Sequence, residues 1–96
     1  MLWQCPLLAY LNLSQNEIDD SGTQRLAEVL PQCQSLAHLN LDHNWIATEG
    51  MKSLVPVLGK CASLECLILS RNAMDPITKD RLLAVAGHVD IKFYSQ

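Results

Sequence analysis

A repeat of 28 residues constrains this sequence more than any other feature. Residues 5–32 and 33–60 align without a gap and share 12 identities in 28 positions, and the same register continues through residues 61–88. Each unit follows the pattern C-x-x-L-x-x-L-x-L-x-x-N-x-I/M, which precedes an apolar pattern of helical spacing. Self-similarity at a fixed period of about 20–50 residues is typical of repeat architectures. We therefore expect units that stack in series instead of one closed core.

The spacing within each unit predicts a short strand followed by a helix. In the first unit Leu11 and Leu13 alternate with a polar residue, and this period of two is typical of a strand. Val29 and Leu30 then lie three and four residues after Leu26, as on the buried face of a helix. Such units in series place parallel strands on one side and helices on the other, which gives a curved solenoid.

Several residues mark where the helices begin and end. The first helix is capped by one of three adjacent residues, Asp19, Asp20 or Ser21. Asp75 followed by Pro76 predicts the start of a helix that runs to about Ala86, and Gly87 predicts its left-handed stop. Pro56 lies inside the second helical pattern, where it removes a backbone hydrogen bond. We expect that helix to be kinked or to end near Val55.

The repeated motif resembles the leucine-rich repeat, in the ribonuclease-inhibitor-like subclass that also occurs in NOD-like receptors. The resemblance covers nearly the whole chain. It implies an α/β solenoid of right-handed β-α coils, with a short parallel sheet on the concave face and helices on the convex face. Residues 1–96 would form a single domain. Its parts are the tail of a preceding repeat (1–4), three repeats (5–32, 33–60 and 61–88) and a terminal strand (89–96).

One polar and one sulfur-containing position repeat together with the leucines. The repeated Asn follows each strand, where a buried side-chain amide can bond backbone groups that the strand leaves unpaired. The repeated Cys precedes each strand and is expected to be buried packing, since its spacing is that of the repeat and not of a disulfide framework. These residues are Asn16, Asn44 and Asn72, and Cys5, Cys33 and Cys61.

Residues between the inward-facing leucines must face outward on the concave side. They differ between repeats while the leucine frame does not, so they are free to serve binding. On the strands they are Tyr10, Asn12, Ser14, His38, Asn40, Asp42, Cys66, Ile68 and Ser70, and on the rim Gln15, His43, Arg71, Glu17, Trp45 and Ala73. Tyr, Trp and Arg are enriched at binding hot spots. Our candidate partner-binding residues are Tyr10, Asn12, His38, Asn40, Asp42, Trp45, Ile68 and Arg71.

Charge and composition exclude several kinds of partner. The net charge is −3 and no run of Lys or Arg occurs, which argues against nucleic acid and against an anionic membrane surface. No apolar run approaches the roughly 20 residues that span a bilayer. The first residues lack the regions of a signal peptide, and the cysteines do not form a disulfide pattern, so we expect a cytoplasmic location. No nucleotide-binding motif is present, and we expect no cofactor.

One pair of residues invites a chemical interpretation. His38 and Cys66 share a repeat position, so adjacent strands would bring them to about 4.8 Å from each other. A Cys–His pair can act as nucleophile and base or as half of a zinc site. The sequence offers no glycine-rich anion hole and no second Cys–His pair in register. We therefore expect neither catalysis nor a metal site.

Two functional hypotheses follow. The first is a non-catalytic protein-interaction module, which the resemblance relates to a sensor or regulatory segment of a larger NOD-like-receptor-type protein. The alternative is a truncated repeat array with a structural role. Its first coil lacks a polar cap, and it would self-associate through a face that holds Leu2, Leu7 and Leu8.

Overall fold

A computed structural model describes residues 9–73 and 75–93 of the 96-residue chain. In this part, three-residue strands alternate with helices of 10 or 11 residues. The strands are β1 (Tyr10–Asn12), β2 (His38–Asn40), β3 (Cys66–Ile68) and β4 (Asp90–Lys92). The helices are α1 (Asp20–Val29), α2 (Thr48–Leu58) and α3 (Pro76–Val85), and a short 3-10 helix, Leu30–Gln32, follows α1.

The four strands form one parallel sheet in the order β1-β2-β3-β4. Register partners in β1, β2 and β3 lie 28 residues apart, since Leu11 pairs with Leu39 and Leu39 pairs with Leu67. The last step is shorter, 24 residues, since Leu67 pairs with Ile91. Helix α1 packs on α2 and α2 packs on α3. The predicted α/β solenoid is confirmed.

The helix boundaries have local causes. Asp19 is the cap of α1, where its Oδ1 accepts a hydrogen bond from the Gly22 N–H at 3.0 Å. Asp75 caps α3 in the same way, accepting from the Thr78 N–H at 2.8 Å, and hydrogen bonds from Thr78 lower the pKa of the Asp75 carboxyl. Gly87 follows α3 with a positive φ of 57°, the left-handed conformation that its position predicts.

The expected ending of the second helix near Val55 is wrong. Helix α2 continues through Pro56 to Leu58. Pro56 cannot donate a hydrogen bond to the carbonyl of Lys52, but both residues are exposed, so water can bond this carbonyl instead. The cost of an interior proline is thereby reduced, and Val57 and Leu58 remain buried on the opposite side of this turn.

The core is a stack of leucines at equivalent positions of successive coils. Leu39, Leu41, Leu67 and Leu69 are at most 1% exposed, which confirms that the leucine frame faces inward. Their counterparts in β1 and the turn after it, such as Leu13, are only partly buried, since β1 is the first strand of the described sheet. The first coil is therefore the least protected part of the described solenoid.

The repeated asparagines join one coil to the next. Asn44 Oδ1 accepts from the N–H groups of Asn16 and Ile18 at 2.9 and 3.0 Å, and Asn44 Nδ2 donates to the carbonyls of Leu13 and Leu41, both at 3.0 Å. Asn72 makes equivalent contacts one coil later, accepting from Ile46 and donating to Leu41 and Leu69. The structural role predicted for these residues is confirmed at Asn44 and Asn72.

The repeated cysteines are packing residues where the structure describes them. Cys33 and Cys61 are each 8% exposed, and Cys61 carries a free thiol. Burial raises the pKa of the Cys61 thiol, and the neighbouring Cys33 adds to this effect. A raised pKa keeps the thiol protonated and poorly reactive at neutral pH. The prediction for Cys5 lies outside the described residues.

Candidate functional site

The open face of the sheet presents one column of rings and a thiol. Tyr10, His38 and Cys66 occupy equivalent positions on β1, β2 and β3 and are register partners. The rings of Tyr10 and His38 lie 5.6 Å apart between centroids, with a tilt of 37° between their planes. Tyr10 is 57% exposed and His38 is also exposed. This column offers a partner two adjacent ring faces of mixed apolar and polar character.

The second column contains Asn12, Asn40 and Ile68. Each asparagine uses its Oδ1 to hold the turn that follows its strand: Asn12 accepts from the Ser14 N–H, and Asn40 from the Asp42 N–H, both at 2.9 Å. Among the described residues, neither amide nitrogen has a hydrogen-bond partner, so both are available as donors. Ile68 is half-buried between them and β4. The column therefore combines fixed polar donors with a small apolar surface.

Asp42 and Arg71 form an ion pair across the second and third turns of the rim. Arg71 Nε donates to Asp42 Oδ1 at 3.0 Å, and Arg71 Nη2 donates to Oδ2 of the same carboxylate. These hydrogen bonds lower the pKa of the Asp42 carboxyl and raise that of the Arg71 guanidinium. Both residues were predicted as partner-binding candidates that supply charge, but most of the charge that each presents to a partner is compensated by the other.

The rim is built from left-handed residues held by backbone hydrogen bonds between coils. Gln15, His43 and Arg71 occupy equivalent positions and have φ angles of 59°, 57° and 56°. The Gln15 N–H donates to the Asp42 carbonyl at 3.0 Å, and the His43 N–H donates to the Ser70 carbonyl at 2.9 Å. Because each turn is bonded to the next, the rim side chains are carried on a backbone that is ordered before any partner binds.

A groove lies on this rim beside an exposed tryptophan. Its volume is about 290 Å³, and it is lined by Gln15, Glu17, His43 and Trp45. Trp45 is 62% exposed, the largest exposed fraction of any aromatic residue in the described ranges. Its backbone is fixed, because the Trp45 N–H donates to the Ile18 carbonyl at 2.8 Å. An exposed indole on a rigid backbone is the kind of group that serves as a binding anchor.

The structure brings the eight predicted residues onto one continuous surface, with Tyr10, Asn12, His38, Trp45 and Arg71 exposed and the other three half-buried. Whether they bind a partner stays a prediction. One outward placement is wrong: Ser70 is 1% exposed, and its carbonyl is bonded within the turn and to the coil before it, by Asn72 Nδ2 and the His43 N–H. We predicted that Glu17 lies on the rim but did not include it among the candidate partner-binding residues. Glu17 occupies the same repeat position as Trp45, which could have suggested a binding role for it.

The pairing of His38 with Cys66 is confirmed as a register contact. Within residues 9–73 and 75–93, no group of three or more His, Cys, Asp or Glu side chains lies close enough to hold a metal ion. None of the helices in these ranges is long and apolar enough to cross a membrane. The arrangement is an open surface with mixed polar and aromatic groups.

A second surface feature lies beside the first helix. A mostly apolar cleft of about 410 Å³ opens there, and it is lined by Leu13, Ile18, Gly22, Arg25, Leu26, Glu28 and Val29. The equivalent positions of the next coil, Leu41, Ile46 and Leu54, are completely buried because the first coil covers them. The cleft is thus the place where a further coil would pack in the repeating geometry.

Comparison with known families identifies the repeat. The family model described as leucine-rich repeat matches residues 4–27 and 32–55, which together make up half of the chain. Comparison with curated protein sequences gave no match. Among the described residues, the matched segments include β1, β2 and most of both α1 and α2.

Proposed function

The chain belongs to the leucine-rich-repeat family, whose members generally mediate protein–protein interactions, and from this we propose that it is a non-catalytic module that binds a protein partner. The binding surface is the outer face of the sheet together with the adjoining rim. The observation that carries the proposal is the exposure of Tyr10 and Trp45, 57% and 62%, on a buried frame of regular leucines. An open sheet of this kind suits a broad protein surface better than a small molecule.

Removing the ring anchors is expected to abolish binding without unfolding the protein. In Tyr10→Ala/His38→Ala/Trp45→Ala, each truncated side chain is exposed, so the core is unchanged. When immobilised, the variant should capture each protein that the wild type captures in an amount at least about tenfold lower, measured by quantitative mass spectrometry. The reason is that truncation of a hot-spot side chain costs about 1–4 kcal/mol of binding free energy. Its circular dichroism should match that of the wild type.

The control removes three side chains from the helical side. Gln24→Ala/Lys52→Ala/Asp80→Ala changes exposed residues of α1, α2 and α3. It should capture the same proteins as the wild type. If the control loses them and the ring variant keeps them, the interface lies on the helices and the proposal is wrong.

We further propose that the chain acts as a sensor or regulatory segment of a larger, cytoplasmic protein of the NOD-like-receptor type. The 28-residue step and the α-helix in each of the three 28-residue units support the ribonuclease-inhibitor-like subclass. The cytoplasmic location is supported by the free thiols of Cys61 and Cys66, since thiols persist in reducing compartments.

Self-association through the first coil is the second candidate function, and the cleft beside α1 favours it. Leu13, Ile18 and Leu26 are only partly buried there, whereas their counterparts one coil later are completely covered. Burying apolar area contributes about 25 cal/mol per Å², which gives a second copy a reason to cover the cleft. The residues first proposed for this face, Leu2, Leu7 and Leu8, lie outside the described residues.

Light scattering on a sizing column tests this second candidate. We expect the molar mass to rise from 10.7 kDa towards twice that value as the concentration increases. Leu26→Lys should keep the mass at the monomer value, because the charge enters the cleft. Leu83→Lys, on a leucine that is 47% exposed on α3, should behave like the wild type. A wild type that remains at the monomer mass at millimolar concentration would rule out self-association.

A further inference from the structure

We propose that the groove between Glu17 and Trp45 holds an arginine side chain of the protein partner. The inference rests on the proposed function, because it names the chemistry that the same rim recognises. It starts from two different groups that line one groove: the carboxylate of Glu17 and the indole of Trp45. A guanidinium is the group that both of them attract, one as an anion and the other through its ring face.

The indole is available for such a contact. Trp45 is 62% exposed, and the groove beside it holds about 290 Å³. A cation is attracted to an indole face when it lies within about 6 Å of the ring centroid, and tryptophan gives the strongest contact of this kind. Gln15 lines the same groove and contributes an amide oxygen that can accept from a guanidinium N–H.

The electrostatics of the rim select a cation. In the part of the chain that the structure describes, the ion pairs join Asp42 to Arg71 and Asp90 to Lys92. The Glu17 carboxylate has no ion-pair partner within these ranges, and it is exposed. An acidic group of a partner would be repelled there, whereas a basic group would supply the missing counter-charge.

The backbone of Glu17 is held in place before binding. Asn44 Oδ1 accepts from the N–H groups of Asn16 and Ile18, which lie on either side of Glu17 in the chain. Glu17 has a left-handed φ of 56°, and its repeat equivalents Trp45 and Ala73 do not have a positive φ. This backbone conformation is unusual for Glu, and the two hydrogen bonds stabilise it. A backbone that is already ordered loses little conformational freedom when the partner binds.

Arginine fits the groove better than lysine. The guanidinium is planar, so it can stack on the indole and donate in its own plane to a carboxylate. An ammonium group is a more strongly hydrated point charge without a flat face. The rim therefore recognises an exposed arginine in a partner segment, and the column of Tyr10 and His38 contacts the residues around it.

Nuclear magnetic resonance titration of the full chain tests the proposal. The probes are the peptides acetyl-Gly-Arg-Gly-amide and acetyl-Gly-citrulline-Gly-amide, which differ by the charge of one side chain. We expect the arginine peptide to shift the Trp45 indole N–H and the Glu17 amide saturably, and the citrulline peptide to bind at least about fivefold more weakly. Glu17→Gln should weaken the binding of the arginine peptide by a similar factor.

The matched control is Glu49→Gln, which removes the same charge from an exposed residue of α2. It should bind the arginine peptide like the wild type. Equal binding of the two peptides, an equal loss in both glutamine variants, or the absence of a shift at Trp45 would each overturn the inference. If the peptides fail in this way while the ring variant still loses its captured proteins, the arginine groove is wrong and the proposed function stands.

Discussion

Asn44→Ala is expected to lose about 4 kcal/mol of unfolding free energy, a large part of the 5–15 kcal/mol that stabilises a typical domain. Asn44 is 4% exposed, and its side chain bonds backbone groups of two coils. Its removal leaves several of these groups without a partner, and each costs about 1–3 kcal/mol when buried. In a urea melt followed by circular dichroism, the midpoint should fall by about 2–3 M.

Asn16→Ala is the matched control, because it makes the same change at the same repeat position. Asn16 is exposed, and its side chain donates to one described acceptor, the Ser14 carbonyl at 3.0 Å. We expect it to cost less than about 1 kcal/mol. Equal losses in the two variants would mean that the asparagine acts within its own turn and not between coils.

Gly50→Ala is expected to destabilise the protein by about 2 kcal/mol, although alanine is the better helix former. A Cβ at Gly50 would lie 2.6 Å from Asp20 Oδ1, 2.9 Å from Ile46 Cγ2 and 3.1 Å from the Asp20 Cα. Asp20 cannot move freely, because its Oδ1 accepts from the Ala47 N–H at 2.7 Å. The added methyl group therefore pushes α2 away from the first coil. Thermal and urea melts measure the loss.

The equivalent glycine of the first coil gives the opposite expectation. At Gly22 a Cβ would meet two side-chain atoms, the Ile18 Cγ2 at 3.1 Å and the Asp19 Oδ1 at 3.6 Å. We expect Gly22→Ala to be neutral or to stabilise the protein by up to about 1 kcal/mol through helix propensity. If both alanine variants are equally destabilised, close packing of α2 on the first coil is not what requires Gly50.

The repeat made most of the fold predictable. Residues such as Leu39 and Leu67 are 28 apart, so equal spacing alone placed them as register partners in a buried stack. The asparagine role followed from the same argument, because Asn44 stands where a strand ends and backbone groups need partners. The repeat did not predict that α2 continues through Pro56. This outcome depends on how close the proline lies to the end of the helix and on its exposure.

The candidate site was predictable in position but less so in chemistry. Register placed Tyr10 beside His38. The ion pair of Asp42 with Arg71 joins residues that are not repeat equivalents, so it depends on side-chain paths that spacing does not give. The left-handed backbone of Glu17 is also specific to one coil, and no sequence signal marks it. The kind of partner group that the rim can bind therefore had to be inferred from the three-dimensional structure.

The central claim is that a protein partner binds the outer face of the sheet and its rim. Hydrogen–deuterium exchange of the chain, alone and with a captured partner, tests it most directly. We expect the partner to slow exchange in peptides that cover residues 10–17, 38–45 and 66–73, and to leave α1, α2 and α3 unchanged. Slower exchange confined to the helices, with these three segments unaffected, would contradict the claim.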